Sequence, residues 1–120
     1  MASALVWFVF SLGVAHIVFG VVKFKRPLLA AVSAGYVGQF GVPEVRRSAF
    51  WFVIFGPLLM LAGHMGIHAV AVGDLALLKL LGIYTFVIAL VGVTAFPKSP
   101  FWAALFVSPL LIAAGYGLLP

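Results

Sequence analysis

Four long stretches of the chain are apolar at nearly every position. They cover roughly residues 3–22, 49–72, 75–96 and 100–119. An α-helix of about 20 apolar residues is long enough to cross the hydrocarbon core of a bilayer. The one charge within them is Lys79, whose long side chain can reach back toward the nearer interface and Asp74. The pattern predicts an all-α, integral membrane bundle of four transmembrane helices.

Residues 27–40 form a shorter element between the first two spans. The segment is too short to cross a membrane, and Pro27 suits the first position of a helix. Its larger apolar residues recur every four positions, at Leu28, Val32, Tyr36 and Phe40. Basic residues flank the segment on both sides. We predict a short amphipathic helix that lies in the membrane interface.

The composition favours a membrane protein and excludes several other classes. Hydrophobic residues occupy 66% of the 120 positions and charged residues only 8%. A soluble chain of this size could not bury so much apolar surface, so residues 1–120 are predicted to form a single membrane domain. The lack of cysteine excludes disulfides and thiolate metal sites. No Lys or Arg precedes Lys23, so we expect the first span to remain in the mature protein.

The positive charge lies in the connections between the spans. Of the 7 Lys and Arg residues, five occur from Lys23 to Arg47, and Lys98 lies in the third connection. These two connections share one side of a four-span protein, and an excess of Lys and Arg marks the cytoplasmic side. We predict a bacterial-type inner-membrane protein with both termini outside the cytoplasm. The basic residues are expected to contact anionic lipid head groups rather than nucleic acid.

Three stretches carry a resemblance to a known family. They are GVAHIVFG in the first span, AFWFVIFG at the start of the second, and LVGVTAFPKSPFW between the third and fourth. They resemble an uncharacterised family of small bacterial four-helix integral membrane proteins. The resemblance extends over nearly the whole chain and takes in His16 and Glu44. It implies a four-span bundle with a short helix after the first span, and it implies no activity.

His64 and His68 lie four residues apart in the second span, so their side chains face the same way one turn apart. Two imidazoles at this spacing can bind one zinc or copper ion, but a stable site needs a third or fourth protein ligand. The rise per residue of the two helices predicts that the remaining histidine, His16, differs from this pair by about 10 Å in membrane depth. We therefore expect that this pair is not a metal site and that the chain has no cofactor. His68 is expected to reach the outer interface.

Prolines within the spans suggest a structural role for His16. Pro57 deprives the carbonyl of Val53 of its helical donor, and Pro109 does the same to Leu105. His16 is predicted to lie at a depth similar to that of Pro57. We expect its imidazole N–H to donate to the Val53 oxygen, because an unpaired carbonyl is costly in a membrane.

A proton relay through the three histidines and Tyr84 is a further hypothesis. It lacks a buried carboxylate, because Glu44 and Asp74 are both predicted in connections. Glu44, with Arg46 and Arg47, is expected to form an exposed start to the second span. A single carboxylate of this kind is a weak candidate for a general base.

The leading hypothesis is a binding or accessory function. A pocket near the proline kinks is expected to accept a hydrophobic or lipid-like small molecule, through His16, His64, Tyr84, Pro57 and Pro109. Membrane lipids are expected partners, and a second copy or a larger membrane protein is another candidate. One alternative is a membrane-embedded isomerase that uses His16 or Glu44 as a catalytic proton-transfer group. The other is a small transporter that works as an oligomer.

Overall fold

The computed structural model covers residues 1–120 and contains five α-helices and no strand. The helices are α1 (Ala2–Lys23), α2 (Lys25–Ser33), α3 (Glu44–Val72), α4 (Leu75–Ala95) and α5 (Phe101–Gly115). The predicted all-α class is confirmed. By length and composition, α1, α3 and α4 are able to cross a membrane, whereas α5 is shorter.

The chain divides into two compact units. Unit 1 consists of Met1–Phe10 and Ala62–Pro120, and unit 2 consists of Ser11–Leu61. Helices α1 and α3 therefore contribute residues to both units, whereas α2 belongs to unit 2 and α4 and α5 belong to unit 1.

In unit 2 the C-terminal part of α1 packs closely against the first part of α3. A Cβ atom on Gly13 would lie 2.6 Å from the backbone nitrogen of Met60, which is closer than any real contact. Glycine at this position therefore lets the two backbones approach, as small residues do in membrane helix pairs. This approach places α3 side chains such as Phe52 against α1.

Helix α2 is shorter than predicted. It ends at Ser33 rather than near residue 40, and Ala31 is its only buried residue. The backbone leaves the helical region at Gly35 (φ 114°) and Tyr36 (φ 66°). Glycine adopts positive φ values readily, and this break ends the helix even though the apolar residues keep a four-residue spacing. The prediction of a helix over residues 27–40 is wrong for its second half.

In unit 1 helices α4 and α5 pack side by side around a small apolar core that includes Leu78, Val107 and Leu111. The two helices approach closely near the end of α5, where a Cβ on Gly115 would lie 2.5 Å from the backbone nitrogen of Lys79. Asp74 begins α4, because its carboxylate accepts a hydrogen bond from the N–H of Leu77 at 3.0 Å. This N-cap satisfies one of the unpaired donors of the first turn.

Helix α5 is also shorter than the predicted span at residues 100–119. It ends at Gly115, and Gly117 adopts a left-handed conformation with φ 75°. The N–H of Leu118 then donates to the oxygen of Ala113 at 3.0 Å, as in the usual glycine-based helix ending. At 15 residues α5 is about 22 Å long, which is less than the hydrocarbon core of about 30 Å.

Candidate functional site

The imidazole of His16 makes a specific contact in unit 2. Its Nε2 lies 2.8 Å from the backbone oxygen of Phe52. A carbonyl oxygen only accepts, so Nε2 carries the proton and donates it. In the neutral ring the lone pair then belongs to Nδ1, which is able to accept a hydrogen bond.

The oxygen that His16 binds differs from the predicted one. We expect Val53 to be the acceptor, since Pro57 removes its helical donor, but His16 reaches the carbonyl one residue earlier. Neighbouring residues on a helix point about 100° apart, so the direction of approach of α1 selects between them. The prediction of a histidine-to-carbonyl bond near Pro57 is correct in kind and wrong by one residue.

Aromatic rings surround His16. Its ring stacks on Phe52 with centroids 4.1 Å apart and an interplanar angle of 17°. Phe55 approaches the same ring edge-on at 5.3 Å and 64°. Such ring pairs contribute stability beyond that of the area they bury, and they fix the orientation of the imidazole.

The ammonium group of Lys23 lies among three phenylalanine rings. Its distances to the ring centroids are 5.8 Å for Phe19, 5.4 Å for Phe24 and 5.8 Å for Phe52. Cation–π attraction operates within about 6 Å, and Lys23 also lies in the last turn of α1, where a positive charge is favourable. The His16–Lys23 cluster, as we name it, consists of His16, Phe19, Lys23, Phe24, Phe52 and Phe55.

Few carboxylates balance the positive charge of unit 2. Its five basic residues, at 23, 25, 26, 46 and 47, stand against the single acid Glu44. The one ion pair in the structure joins Arg47 Nη2 to Glu44 Oε1 at 4.0 Å, with both side chains mostly exposed. An exposed pair of this length contributes little stability. The guanidinium of Arg46 makes a long 3.5 Å contact to the backbone oxygen of Gln39.

His64 and His68 lie in unit 1, and both are exposed. The ring of His64 meets Phe10 edge-on, with centroids 6.5 Å apart and an angle of 83°. No hydrogen bond holds either ring, since the one hydrogen bond of a histidine ring in the structure is that of His16. No group of three or more potential ligands among His, Cys, Asp and Glu is close enough to bind one metal ion.

The other predicted contact residues also lie on exposed surface. Tyr84 and Pro109 are exposed residues of unit 1, and Pro57 is exposed in unit 2. The small cavity in unit 1 has a volume of about 10 Å³ and includes none of them in its lining. It has room for about one water molecule, whereas ligand pockets usually measure about 300–1,000 Å³.

The carbonyl that Pro109 leaves without a helical donor has its own polar partner. The hydroxyl of Ser108, which is fully buried, donates to the oxygen of Leu105 at 3.2 Å. Leu105 is the residue whose helical donor Pro109 removes, as the sequence predicts. The serine beside the proline is the available signal for this bond, because Ser side chains commonly bond to the carbonyl three or four residues earlier.

Sequence reasoning also misses the position of Lys23. The position of Lys23 at the end of the first apolar span suggests only a charge that flanks the membrane. The Phe52 ring that it contacts comes from a distant part of the chain. The spacing of His16, Phe19 and Lys23 is a usable signal, because residues separated by three, four and seven positions share one helix face.

Comparison with known proteins gives a family and no activity. No curated protein matches the chain, and no solved structure matches it. The model of one family, described as "Family of unknown function (DUF6463)", matches residues 2–116, which is nearly the whole chain and agrees with the expected membership of an uncharacterised family. The chain therefore belongs to this family of unknown function, DUF6463.

Proposed function

We propose that the protein is a four-span protein of the bacterial inner membrane that binds an anionic, lipid-like small molecule at the basic end of unit 2. The observation that carries this proposal is the position of the Lys23 ammonium, 5.4–5.8 Å from three phenylalanine ring centroids and without a carboxylate partner. Rings hold the ammonium in place but leave its charge uncompensated. A phosphate or carboxylate head group supplies the missing charge.

The surface beside Lys23 suits an apolar chain. Phe19, one turn before Lys23 on the same face of α1, is 55% exposed. A lipid-like molecule that places its head group at Lys23 can lay its tail against this ring. The basic residues that follow, Lys25 and Arg26, are exposed at the start of α2 and extend the positive surface.

His16 supplies a second polar contact for such a ligand. It precedes Lys23 by two helical turns, which is about 10 Å along α1. Because Nε2 donates to the Phe52 oxygen, Nδ1 is available to accept from a hydroxyl or N–H group. Of the predicted ligand contacts, His16 and Pro57 belong to unit 2. The participation of His64, Tyr84 and Pro109 stays a prediction.

The membrane arrangement is part of the proposal. Helices α1, α3 and α4 cross the bilayer, and α5 crosses with local thinning, which has a modest cost for each ångström of mismatch. In the proposal the segment between α1 and α3, which has five basic residues in or beside it, lies on the cytoplasmic side, and both termini lie outside. The segment then lies at the head groups, where its exposed apolar residues and its charges both find partners.

Binding of single lipids can be measured by native mass spectrometry from mild detergent. We expect an anionic phosphatidylglycerol to bind more tightly than a zwitterionic phosphatidylethanolamine. Lys23→Gln should weaken binding of the anionic lipid roughly fivefold, since one basic residue near the surface contributes about 1 kcal/mol. Lys98→Gln, which removes the same charge from the third connection, is the control and should have a smaller effect. Equal effects of the two variants, or no preference for the anionic lipid, would contradict the proposal.

The alternative functions have less support. An isomerase that uses His16 with Glu44 needs both groups at one substrate. Glu44 precedes Phe52, the partner of His16, by two turns of α3, which is about 12 Å along the axis. A transporter needs a polar path, and the small cavity in unit 1 has a mostly apolar lining. An accessory role in a larger complex is tested by the same native spectra, in which a bound protein partner adds its own mass.

A further inference from the structure

We infer that His64 and His68 form half of a zinc site, which a second copy of the chain completes. This inference goes beyond the proposed lipid binding and concerns unit 1 alone. The sequence argument against a metal counts the ligands of one chain, and one chain indeed brings together fewer than three. A symmetric pair of chains doubles the number of imidazoles from two to four.

The exposure of the pair is the first observation behind this inference. Both side chains are exposed and neither forms a hydrogen bond within the chain. By helix rise, His68 lies about 6 Å and His64 about 12 Å before the last residue of α3, Val72. In a membrane-spanning α3, His64 therefore presents an imidazole to surroundings that offer it few partners. Polar groups at such a depth face other protein elements or a cavity.

The orientation of His64 is the second observation. Its ring meets Phe10 edge-on, with the centroids 6.5 Å apart, and Phe10 in turn contacts Trp7 at 5.9 Å. These contacts position the ring without using its nitrogens as donors or acceptors. A metal ligand needs such a free nitrogen on a side chain that is already oriented.

The face of α3 around the pair is open to a second copy. Met65 and Val72, which share a face of α3 with the histidines, are 41% and 61% exposed. Only 17% of an apolar 18-residue stretch of α3 is buried, compared with 28% of the corresponding stretches of α1 and α4. A two-fold axis that passes between two α3 helices at this level brings the same pair from each chain to one point.

Zinc is the metal that fits these ligands. Four neutral imidazoles form the tetrahedral set that zinc accepts, with nitrogen–metal distances of about 2.0–2.1 Å. The binding needs no redox step and no thiolate, and the chain contains no cysteine. The two chains therefore bind one zinc ion, and the dimer depends on the metal.

Zinc titration of the untagged protein tests the inference. The protein is stripped with EDTA in mild detergent, Zn²⁺ is added, and native mass spectrometry reports the metal and the subunit count together. We expect saturation at about one zinc per two chains, with conversion of monomer to dimer. Monomer that binds no zinc, monomer that binds its own zinc, or a dimer that is indifferent to EDTA would each overturn the inference.

Variants identify the ligands. His64→Gln and His68→Gln should each abolish the zinc-dependent dimer, whereas His16→Gln and Met65→Leu should retain it. Zinc-dependent dimers that persist in both variants of the pair would also overturn the inference. Co²⁺ in place of zinc gives an independent reading in the wild-type protein, because a tetrahedral nitrogen site produces intense visible absorption and an octahedral one does not. Weak, octahedral cobalt spectra would contradict the proposed coordination even if a variant failed to fold.

Discussion

His16 contacts Phe52 in two ways, through a 2.8 Å hydrogen bond from its Nε2–H to the backbone oxygen and through stacking of the two rings at 4.1 Å. Both contacts join α1 to α3 within unit 2. The phenyl ring also lies 5.8 Å from the Lys23 ammonium. Phe52 therefore links the imidazole to the positive charge that the lipid-binding proposal requires.

Replacement of His16 by alanine should destabilise the protein. The Phe52 oxygen loses a donor in an apolar environment and the stacked ring is lost, so we expect a decrease in the free energy of unfolding of about 1–2 kcal/mol. His16→Gln retains an N–H donor of comparable reach and should recover part of this loss. Unfolding by SDS, followed by circular dichroism, measures both variants. If Gln is no better than Ala, the stacking rather than the hydrogen bond carries the contribution.

Ser108 and Pro109 should be energetically coupled. The Ser108 hydroxyl donates to the Leu105 oxygen, which Pro109 leaves without a helical donor. Ser108→Ala alone should therefore lower the free energy of unfolding by about 1 kcal/mol. In a Pro109→Ala background the restored backbone N–H serves the same oxygen, and the effect of Ser108→Ala should largely disappear. A double-mutant cycle measures this coupling, and additive effects would contradict it.

The ammonium of Lys79 lies 4.1 Å from the centroid of the Tyr116 ring, at the C-terminal end of α5. Sequence reasoning instead directs Lys79 toward Asp74, whose carboxylate in fact caps α4. Lys79→Met removes both the cation–π contact and the charge that favours this helix end. We expect a loss of about 1–2 kcal/mol in the free energy of unfolding.

Two further variants make the Lys79 test specific. Lys79→Arg keeps the positive charge and should retain most of the stability, and Lys98→Met is a control at an exposed position that makes no ring contact. Thermal unfolding in one mild detergent compares the stability of Lys79→Met, Lys79→Arg and Lys98→Met. A loss for Lys98→Met as large as that for Lys79→Met would show that net charge alone determines the effect.

Sequence reasoning predicts the long helices of this protein well, because continuous apolar runs define them. The expected spans at 3–22 and 75–96 correspond to α1 and α4 within one residue at each end. The second span begins earlier than expected, at Glu44, because charged residues extend the helix beyond its apolar part. Polarity marks the membrane boundary of a helix rather than its end.

The shorter elements depend on backbone conformation, which a hydrophobic pattern does not record. Positive φ angles at Tyr36 and Gly117 follow the ends of α2 and α5, although apolar residues continue past both helices. The contacts within the site depend on how one helix is rotated relative to another. The spacing of residues in the sequence does not determine that rotation. The choice between the Phe52 and Val53 oxygens is of this kind.

The proposed orientation in the membrane predicts opposite labelling of two positions. Ala2→Cys lies at the start of α1 and Lys98→Cys lies between α4 and α5, and the protein has no other cysteine. Because the basic connections are cytoplasmic in the proposal, a membrane-impermeant maleimide should label only Ala2→Cys in intact cells. Lysed cells provide the control, in which both positions should react. Labelling of Lys98→Cys alone in intact cells would reverse the orientation.

The segment from Phe24 to Pro43 should lie at a shallow and nearly constant depth in the lipid head groups. Its apolar residues include Val37 and Val42, which are 82% and 80% exposed and have no core to cover them. The basic residues on either side attract anionic lipids, so insertion of the valines and electrostatic contact reinforce each other.

Spin labels along this segment measure its depth in anionic vesicles. A helical period in lipid contact should extend only over α2, as far as Ser33, and labels at Val37 and Val42 should both lie within the interface. In vesicles of zwitterionic lipid the same two labels should become more accessible to water, because the electrostatic attraction is lost. A depth that increases steadily from Ser33 to Val42 would instead indicate a segment that enters the hydrocarbon core, and would contradict an interfacial position.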